Sequence, residues 1–225
     1  MKRLFIHIPK CGGNTLQREP RLDDVMVKFG RDQFPPQYVM AQREAMAKHG
    51  LKPQLAHCRW RDLRPEFTAK HRAVAIVRNP WSRVVSMFLF AKKINRETGG
   101  TNPLTVPEST SFDEFLEQRH RWGNEPYFWH RTTVGWYPQL DYVANRRDEI
   151  QCDILRFEHH ATDVCAYFRL ETPVPRRNVT GEDYDYRRFY TDKTRKAVED
   201  WYRVDILTFG FTFDGAATRN TIWET

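Results

Sequence analysis

The sequence predicts an α/β fold in which a central, mostly parallel sheet is flanked by helices. Three short, largely apolar runs carry the prediction: Leu4 to Ile8, Arg72 to Val77 and Cys152 to Phe157. They are continuous rather than alternating, as in strands buried on both faces. Each run is followed by a helical pattern, the order that joins parallel strands through crossover helices. The chain's 225 residues, 40% hydrophobic and 14% aromatic, supply a sizeable core and fit a single domain spanning 1–225.

The first strand breaks into Pro9-Lys10-Cys11-Gly12-Gly13-Asn14-Thr15, a turn with a lysine and two glycines that opens a helix. Such a turn presents backbone N–H groups to an anion, and the helix start adds partial positive charge. Lys10 adds a full charge, so the stretch reads as a phosphate or sulfate cradle. Pro20 ends the helix. Residues 20–37 carry Pro20, Gly30, Pro35 and Pro36 and read as irregular. Tyr38 to His49 holds good helix formers, and Gly50 supplies a stop. Pro53 to Trp60 reads as a short strand, and Thr68 to Arg72 as a turn or short helix.

Arg72 to Val77 is the clearest strand, and Arg78-Asn79-Pro80 ends it. Asn79 suits an N-cap and Pro80 the first helical position, so a helix follows from Trp81 to Lys93. Residues 95–110, with Gly99-Gly100, Pro103 and Pro107, read as a mobile loop. Ser111-Phe-Asp-Glu114 is a capping-box pattern opening a helix to about Arg119. Residues 121–135 are rich in aromatics without clean periodicity, and Trp136 to Arg146 reads as helical. After the third strand come a helix from Ala161 to Leu170 and a loop over 173–185. Thr191 to Phe209 is the longest helical pattern; Gly210 stops it, and Phe211-Thr-Phe213 closes the core.

The net charge of +7 has two readings, a solvated basic surface or a site for an anion. No apolar run approaches the roughly 20 residues that span a bilayer. No signal peptide is recognised, so a full-length chain is expected to be cytoplasmic without a membrane anchor; a chain trimmed at a domain boundary would read the same. The four cysteines show no C-x-x-C or zinc-like spacing and read as free thiols. Cys11, in an electropositive turn, has a route to a lowered pKa and a nucleophile's role, beside the plainer reading of a turn residue. His159-His160 with Cys165 reads as a polar turn rather than a metal site.

The opening turn is not the triphosphate pattern G-x-x-x-x-G-K-[ST], because Lys10 precedes the glycines. An ordinary magnesium-nucleotide kinase is therefore disfavoured, and no metal is implied. A second site is Val77-Arg78-Asn-Pro-Trp-Ser-Arg-Val-Val-Ser86. Arg78 stands at the end of a parallel strand, where ligands bind in such sheets. Ser86 is about 9 Å of helical rise beyond Pro80, so the two could share a phosphate. The plainer reading pairs Arg78 with an acidic neighbour and gives Ser86 a packing role.

Together, Phe5-Ile-His-Ile-Pro-Lys-Cys-Gly-Gly-Asn-Thr15 and Ala75-Ile-Val-Arg-Asn-Pro-Trp-Ser-Arg-Val-Val-Ser86 resemble the sulfotransferases that use 3′-phosphoadenosine 5′-phosphosulfate (PAPS). The likeness is to the branch of Golgi carbohydrate enzymes and their bacterial relatives. Asp153 to Glu158 and Tyr202 to Phe211 also look like that branch. The resemblance implies a P-loop NTPase-like fold and PAPS as co-substrate. It implies that Lys10, Cys11, Gly12, Gly13, Asn14 and Thr15 hold the 5′-phosphosulfate, and that Arg78 and Ser86 bind the 3′-phosphate. Lys10 would stabilise the bridging oxygen as the sulfuryl group leaves. Cys11 and Asn14 stand where relatives carry Thr or Ser, which removes one side-chain contact at Cys11. Arg176-Arg177-Asn178 lies where relatives contact the nucleotide; a solvated basic loop is the other reading. Asn178-Val-Thr180 matches a glycosylation acceptor and reads as coincidence.

An acceptor hydroxyl or amine needs a base, and His57 in Leu55-Ala-His-Cys-Arg-Trp60 is similar to the catalytic histidine in a short G-H segment of related carbohydrate enzymes, with Ala56 where a glycine is common. A structural role is its alternative, with Glu44 or His49 then serving as base. His7 reads as structural. Trp122, Tyr127, Phe128, Trp129, Trp136 and Tyr137 divide between an acceptor site and core packing. The expected acceptor is a saccharide hydroxyl first, and a small phenol or lipid headgroup second; no nucleic acid is expected. The rival readings are a P-loop-type kinase or phosphotransferase and a non-catalytic anion- or nucleic-acid-binding protein.

Overall fold

The structure is a computed structural model that describes residues 2–27, 30–174 and 185–222. Four strands, β1 (Arg3–Ile6), β2 (Met26–Val27), β3 (Ala73–Val77) and β4 (Cys152–Arg156), form one parallel sheet in the order β2-β1-β3-β4. Leu4 lies opposite Ala73 and Ile6 opposite Ala75, while Ala73 to Val77 run beside Cys152 to Arg156. All five residues of β3 are buried although alternate side chains point to opposite faces, so both faces are covered. This agrees with the α/β fold read from the sequence.

The helices are α1 (Gly13–Gln17), α2 (Pro36–Ala47), α3 (Pro65–Lys70), α4 (Pro80–Glu97), α5 (Phe112–Trp122), α6 (Leu140–Val143), α7 (His160–Phe168), α8 (Asp192–Trp201) and α9 (Arg203–Phe209). Asn79 caps α4 as expected: its Oδ1 accepts from the amides of Trp81 and Ser82, with Pro80 in the first turn. Its Nδ2 donates to the carbonyls of Thr212 and Gly215, which ties the chain's last turns to the start of α4. Ser111 and Glu114 form the reciprocal capping box of α5. Among the described residues no helix is long and apolar enough to cross a membrane.

Several elements differ from the sequence reading. Residues 53–60 form no strand. Pro53 removes a ladder donor, and side chains take the neighbouring carbonyls: Gln42 donates to that of Gln54 and Arg131 to that of Lys52. Residues 20–37 are not wholly irregular, since Met26 and Val27 pair with Arg3 and Leu4 as an edge strand. The helix expected over 136–146 is only α6, whose start is held by Asp205 accepting from the amides of Gln139 and Leu140. The single helix expected over 191–209 breaks at Tyr202, which leaves helical geometry (φ −105°, ψ 24°) while its ring stays in the core. Gly210 ends α9 at φ 67°, as the stop signal required. The loop after α4 is tied down by buried Leu104 and Val106 and by Asn95 donating to Thr105 Oγ1. Arg176-Arg177-Asn178 and Asn178-Val-Thr180 lie outside the described residues.

Candidate functional site

The carboxyl ends of β1 and β3 carry the two sequence motifs side by side, as neighbouring strands of the sheet require. Beyond β1 the chain turns twice through the left-handed region, at Lys10 (φ 65°) and Gly12 (φ 79°). A Cβ on Gly13 would lie 2.2 Å from His7 Cδ2, so the loop can close over the His7 ring only with glycine there. The amides of Gly12, Gly13 and Asn14 donate to no backbone carbonyl among the described residues. Asn14 is exposed and Thr15 is buried.

Lys10 sets its ammonium over the Phe90 ring, 3.9 Å from the centroid. Burial, with the charges of Arg78 and Lys93 nearby, lowers its pKa to about 7. Cys11 points the other way, into the core, where its Sγ donates to Gln139 Oε1 at 3.3 Å. Burial pushes that thiol up to about 12, so the lowered pKa imagined for an electropositive turn is not found: desolvation outweighs the nearby arginines.

Arg78 is held from four directions. Its Nε donates to Ser82 Oγ at 2.9 Å, and an Nη donates to the Lys10 carbonyl at 3.1 Å. Its guanidinium lies 4.1 Å from the centre of the Phe157 ring. Its own amide donates to Gln139 Oε1 at 2.8 Å. Ser86 is buried one helical turn past Ser82 on α4, so these two serines share one face of the helix that follows Arg78. Arg83 is fully enclosed and donates to the carbonyls of Pro9 (3.1 Å), Tyr137 (2.9 Å) and Gly135 (3.2 Å).

Among the described residues Lys10, Arg78 and Arg83 make no ion pair; their partners are carbonyls, a hydroxyl and ring faces. Of the other partly enclosed arginines, Arg59 pairs with Asp62 at 2.6 Å and Arg156 with Asp163 at 2.8 Å, whereas Arg131 donates to Gln54 Oε1 and the Lys52 carbonyl. Glu158, the carboxylate that follows β4, accepts from the Asn79 amide at 2.8 Å and has its pKa raised, chiefly by burial.

His57 is buried with Nδ1 2.9 Å from the His7 carbonyl and its ring 4.3 Å from the His7 ring. A carbonyl only accepts, so Nδ1 carries the hydrogen and Nε2 keeps its lone pair. Burial lowers the His57 pKa to about 4, with the charges of Arg83 and Lys10 acting in the same direction; the hydrogen bond to His7 opposes them. The loop after His57 brings Arg59 over the Trp129 ring at 3.5 Å. Asp62 accepts from Tyr38 Oη at 3.2 Å, and that oxygen accepts from Trp129 Nε1 at 3.0 Å. Trp122, Phe128 and Trp136 are core residues, whereas Tyr127 and Tyr137 are only partly buried around Trp129. Of the alternative bases, Glu44 is exposed on α2 and His49 pairs with Glu125 at 3.3 Å.

The structure thus brings Lys10, Gly12, Gly13, Arg78 and Ser86 into one region, with His57 close enough for Lys10 to bear on its charge. Sequence reasoning missed Ser82, Phe90, Phe157 and Gln139. Ser82 lay inside the second motif, four residues before Ser86, a spacing that signals a shared helix face. Gln139 carried no local signal.

The family model described as "Sulfotransferase family" matches residues 2–212, nearly the whole chain. A crystal structure of a sulfotransferase from Alicyclobacillus acidocaldarius is 18% identical, covers 92% of this chain and 93% of its own, and superposes with a TM-score of 0.45. No curated protein matches the chain.

Proposed function

We propose that this chain, which belongs to the sulfotransferase family, moves a sulfuryl group from PAPS to a hydroxyl or amine acceptor. The observation that carries the reading is the pair of enclosed cations at the two strand ends, Lys10 and Arg78, which make no ion pair among the described residues. Such a pair suits a ligand with two anionic ends. The amides of Gly12, Gly13 and Asn14 beside Lys10, which meet no backbone carbonyl among the described residues, suit a phosphosulfate, and Gly13 lets the loop that carries them close over the His7 ring. Arg78, steadied by Ser82 with Ser86 one turn on, suits a 3′-phosphate. In this reading residues Lys10 to Thr15 hold the first group, with Cys11 contributing only backbone. Arg78 and Ser86 hold the second.

When bound, the donor supplies an activated sulfuryl group for in-line transfer. Lys10 meets the negative charge that grows on the departing oxygen, and it does so from an enclosed position where charge stabilisation is strong. His57 takes the acceptor's proton at Nε2. Its lowered pKa keeps that nitrogen unprotonated at neutral pH, and the His7 carbonyl fixes the ring's tautomer and direction. Tyr127 and Tyr137, partly buried against the core residue Trp129, are the aromatic rings beside the His57 loop on which a sugar or phenol ring can stack. A saccharide hydroxyl is the first acceptor class to test, through the family likeness; a small phenol or lipid headgroup is the second. No side chain in this scheme calls for a metal ion.

The test is binding of 3′,5′-ADP, the product nucleotide. It should raise the melting temperature without magnesium, and Arg78→Ala should weaken it far more than 5′-AMP. Stabilisation by ATP with magnesium alone would point to a kinase instead. Equal losses for both nucleotides would remove Arg78 from the 3′-phosphate. An acceptor screen read by release of 3′,5′-ADP, repeated with Lys10→Ala, then separates an enzyme from a non-catalytic anion binder.

A further inference from the structure

The two anion sites are joined from behind by one side chain. Gln139 is wholly buried, on the segment that leads into α6. Its Oε1 accepts from the Arg78 amide at 2.8 Å and from Cys11 Sγ at 3.3 Å. Its Nε2 donates to the Arg78 carbonyl at 2.8 Å and to Asp205 Oδ2 at 3.4 Å. The acceptor-only carboxylate of Asp205 fixes which end of the amide is nitrogen. Asp205 also accepts from the backbone amides of Gln139 and Leu140, at 2.8 and 2.9 Å, so the side chain rises from an anchored base.

Arg78 is the first residue beyond the sheet ladder, since β3 ends at Val77. Its N–H and C=O therefore lose the neighbouring strands as partners, and Gln139 meets both as a strand would. Only a side chain with a donor and an acceptor side by side can do this; a carboxylate or an apolar group cannot. The same amide holds Cys11, within the Lys10–Thr15 loop. Arg83 acts in parallel, binding Pro9 on that loop and Gly135 and Tyr137 on the segment that carries Gln139. Neither Gln139 nor Arg83 is needed to close the sheet, whose ladder is complete before Arg78.

We infer that Gln139 is a positioning residue: its amide fixes the Arg78 peptide to the Lys10–Thr15 loop and so sets the separation of the 3′-phosphate and 5′-phosphosulfate sites. The inference rests on the donor reading above. It assigns to Gln139 the discrimination between a nucleotide phosphorylated at both ends and one phosphorylated at the 5′ end alone.

The experiment measures Kd for 3′,5′-ADP and 5′-AMP by calorimetry in the wild type, Gln139→Met, Arg78→Ala and the double variant. Gln139→Met should weaken 3′,5′-ADP by about tenfold or more and 5′-AMP by less than about threefold, since small displacements of a charged anchor cost that much. In the Arg78→Ala background it should cost 3′,5′-ADP nothing further, because Gln139 acts through Arg78. Equal losses for the two nucleotides, or a loss in the double variant that adds to that of Arg78→Ala, would overturn the inference. If Gln139→Met does not fold, Gln139→Glu keeps the length and the acceptor oxygen but loses the donor, and the same split is required of it. A wild type that binds the two nucleotides alike would overturn the donor reading itself, and this inference with it.

Discussion

Raising the pH from 7 to 9 should weaken 3′,5′-ADP binding by about fiftyfold, through Lys10 alone. In the free protein, burial and the charges of Arg78 and Lys93 lower the Lys10 pKa to about 7. At pH 9 only about one free molecule in a hundred then carries that proton. A phosphate monoester completes its second ionisation near pH 6, so the ligand's own charge is constant over this range. A bound anion favours the ammonium and raises the pKa, so binding takes up close to one proton at pH 8. Affinity falls by up to about tenfold per pH unit until the bound-state pKa is passed, a total of about 2.3 kcal/mol over two units because half of the free protein has already lost the proton at pH 7. The folding linkage runs the opposite way. Lys10 titrates near 10.5 when unfolded and about 7 when folded, so the unfolded chain holds more protons between those values. The cost of enclosing the ammonium is full below pH 7 and fades as the pH rises toward 10.5, and stability rises across that window. Calorimetry at pH 7, 8 and 9, in buffers of differing ionisation heat, gives both Kd and the proton count. Lys10→Arg keeps its charge and should bind with a flat profile. A wild-type Kd constant within about twofold over this range, or an equal slope in Lys10→Met, would refute the reasoning.

Two further outcomes follow from the geometry. Gly13→Ala sets a methyl group 2.2 Å from His7 Cδ2, and that ring is held between Phe5 and His57. Overpacking of this kind costs about 1–3 kcal/mol, so an unchanged denaturation midpoint would show that the loop can move aside. His57→Ala should lower kcat by about 10²–10⁴ while leaving the 3′,5′-ADP Kd unaltered, the mark of a lost general base. Since the His57 pKa lies at about 4, the wild-type rate should show no loss between pH 8 and 6 that His57→Ala abolishes; a normal His57→Ala rate at high and low pH alike would sink the assignment.

The parts of the fold legible in the sequence are those where one residue type answers one local demand. Ala73 to Val77 is apolar throughout because both faces are covered, and Asn79-Pro80 and Ser111 with Glu114 satisfy helix ends that would otherwise be unbonded. The break at Tyr202 was hidden because both halves keep helical spacing, and the turn between them is set by where its ring packs. Met26 and Val27 form a strand too short to carry a period. In the site, Lys10, Gly13 and Arg78 were legible because a phosphate cradle needs a cation, a residue without a side chain and a strand end. At Cys11 the sequence suggested the wrong sign. The sequence supplies its positive neighbours, but only the fold says that the thiol turns inward, where desolvation prevails. Gln139 was not legible, because its partners lie on three other elements and its role exists only once these meet.

The same tertiary arrangement explains why an anion is the missing partner. Enclosing an arginine or lysine costs several kcal/mol unless an opposite charge or several dipoles meet it. Elsewhere this chain meets partly enclosed arginines with carboxylates, as Arg59 with Asp62 and Arg156 with Asp163, or with neutral acceptors, as Arg131 with Gln54 Oε1 and the Lys52 carbonyl. Beside Arg83 a carboxylate is at hand, yet Asp205 is directed to the amides of Gln139 and Leu140, and burial holds its pKa up at about 6. Lys10 and Arg78 meet ring faces, carbonyls and a hydroxyl, which steady them without cancelling their charge. A protein selected only for stability would gain by turning a carboxylate toward Arg78. Glu158 follows β4 close to Arg78, but its Oε1 accepts from the Asn79 amide. The positive potential is therefore preserved at the strand ends by the placement of the very acids that could remove it. A bound dianion would relieve that potential at both ends of the site at once.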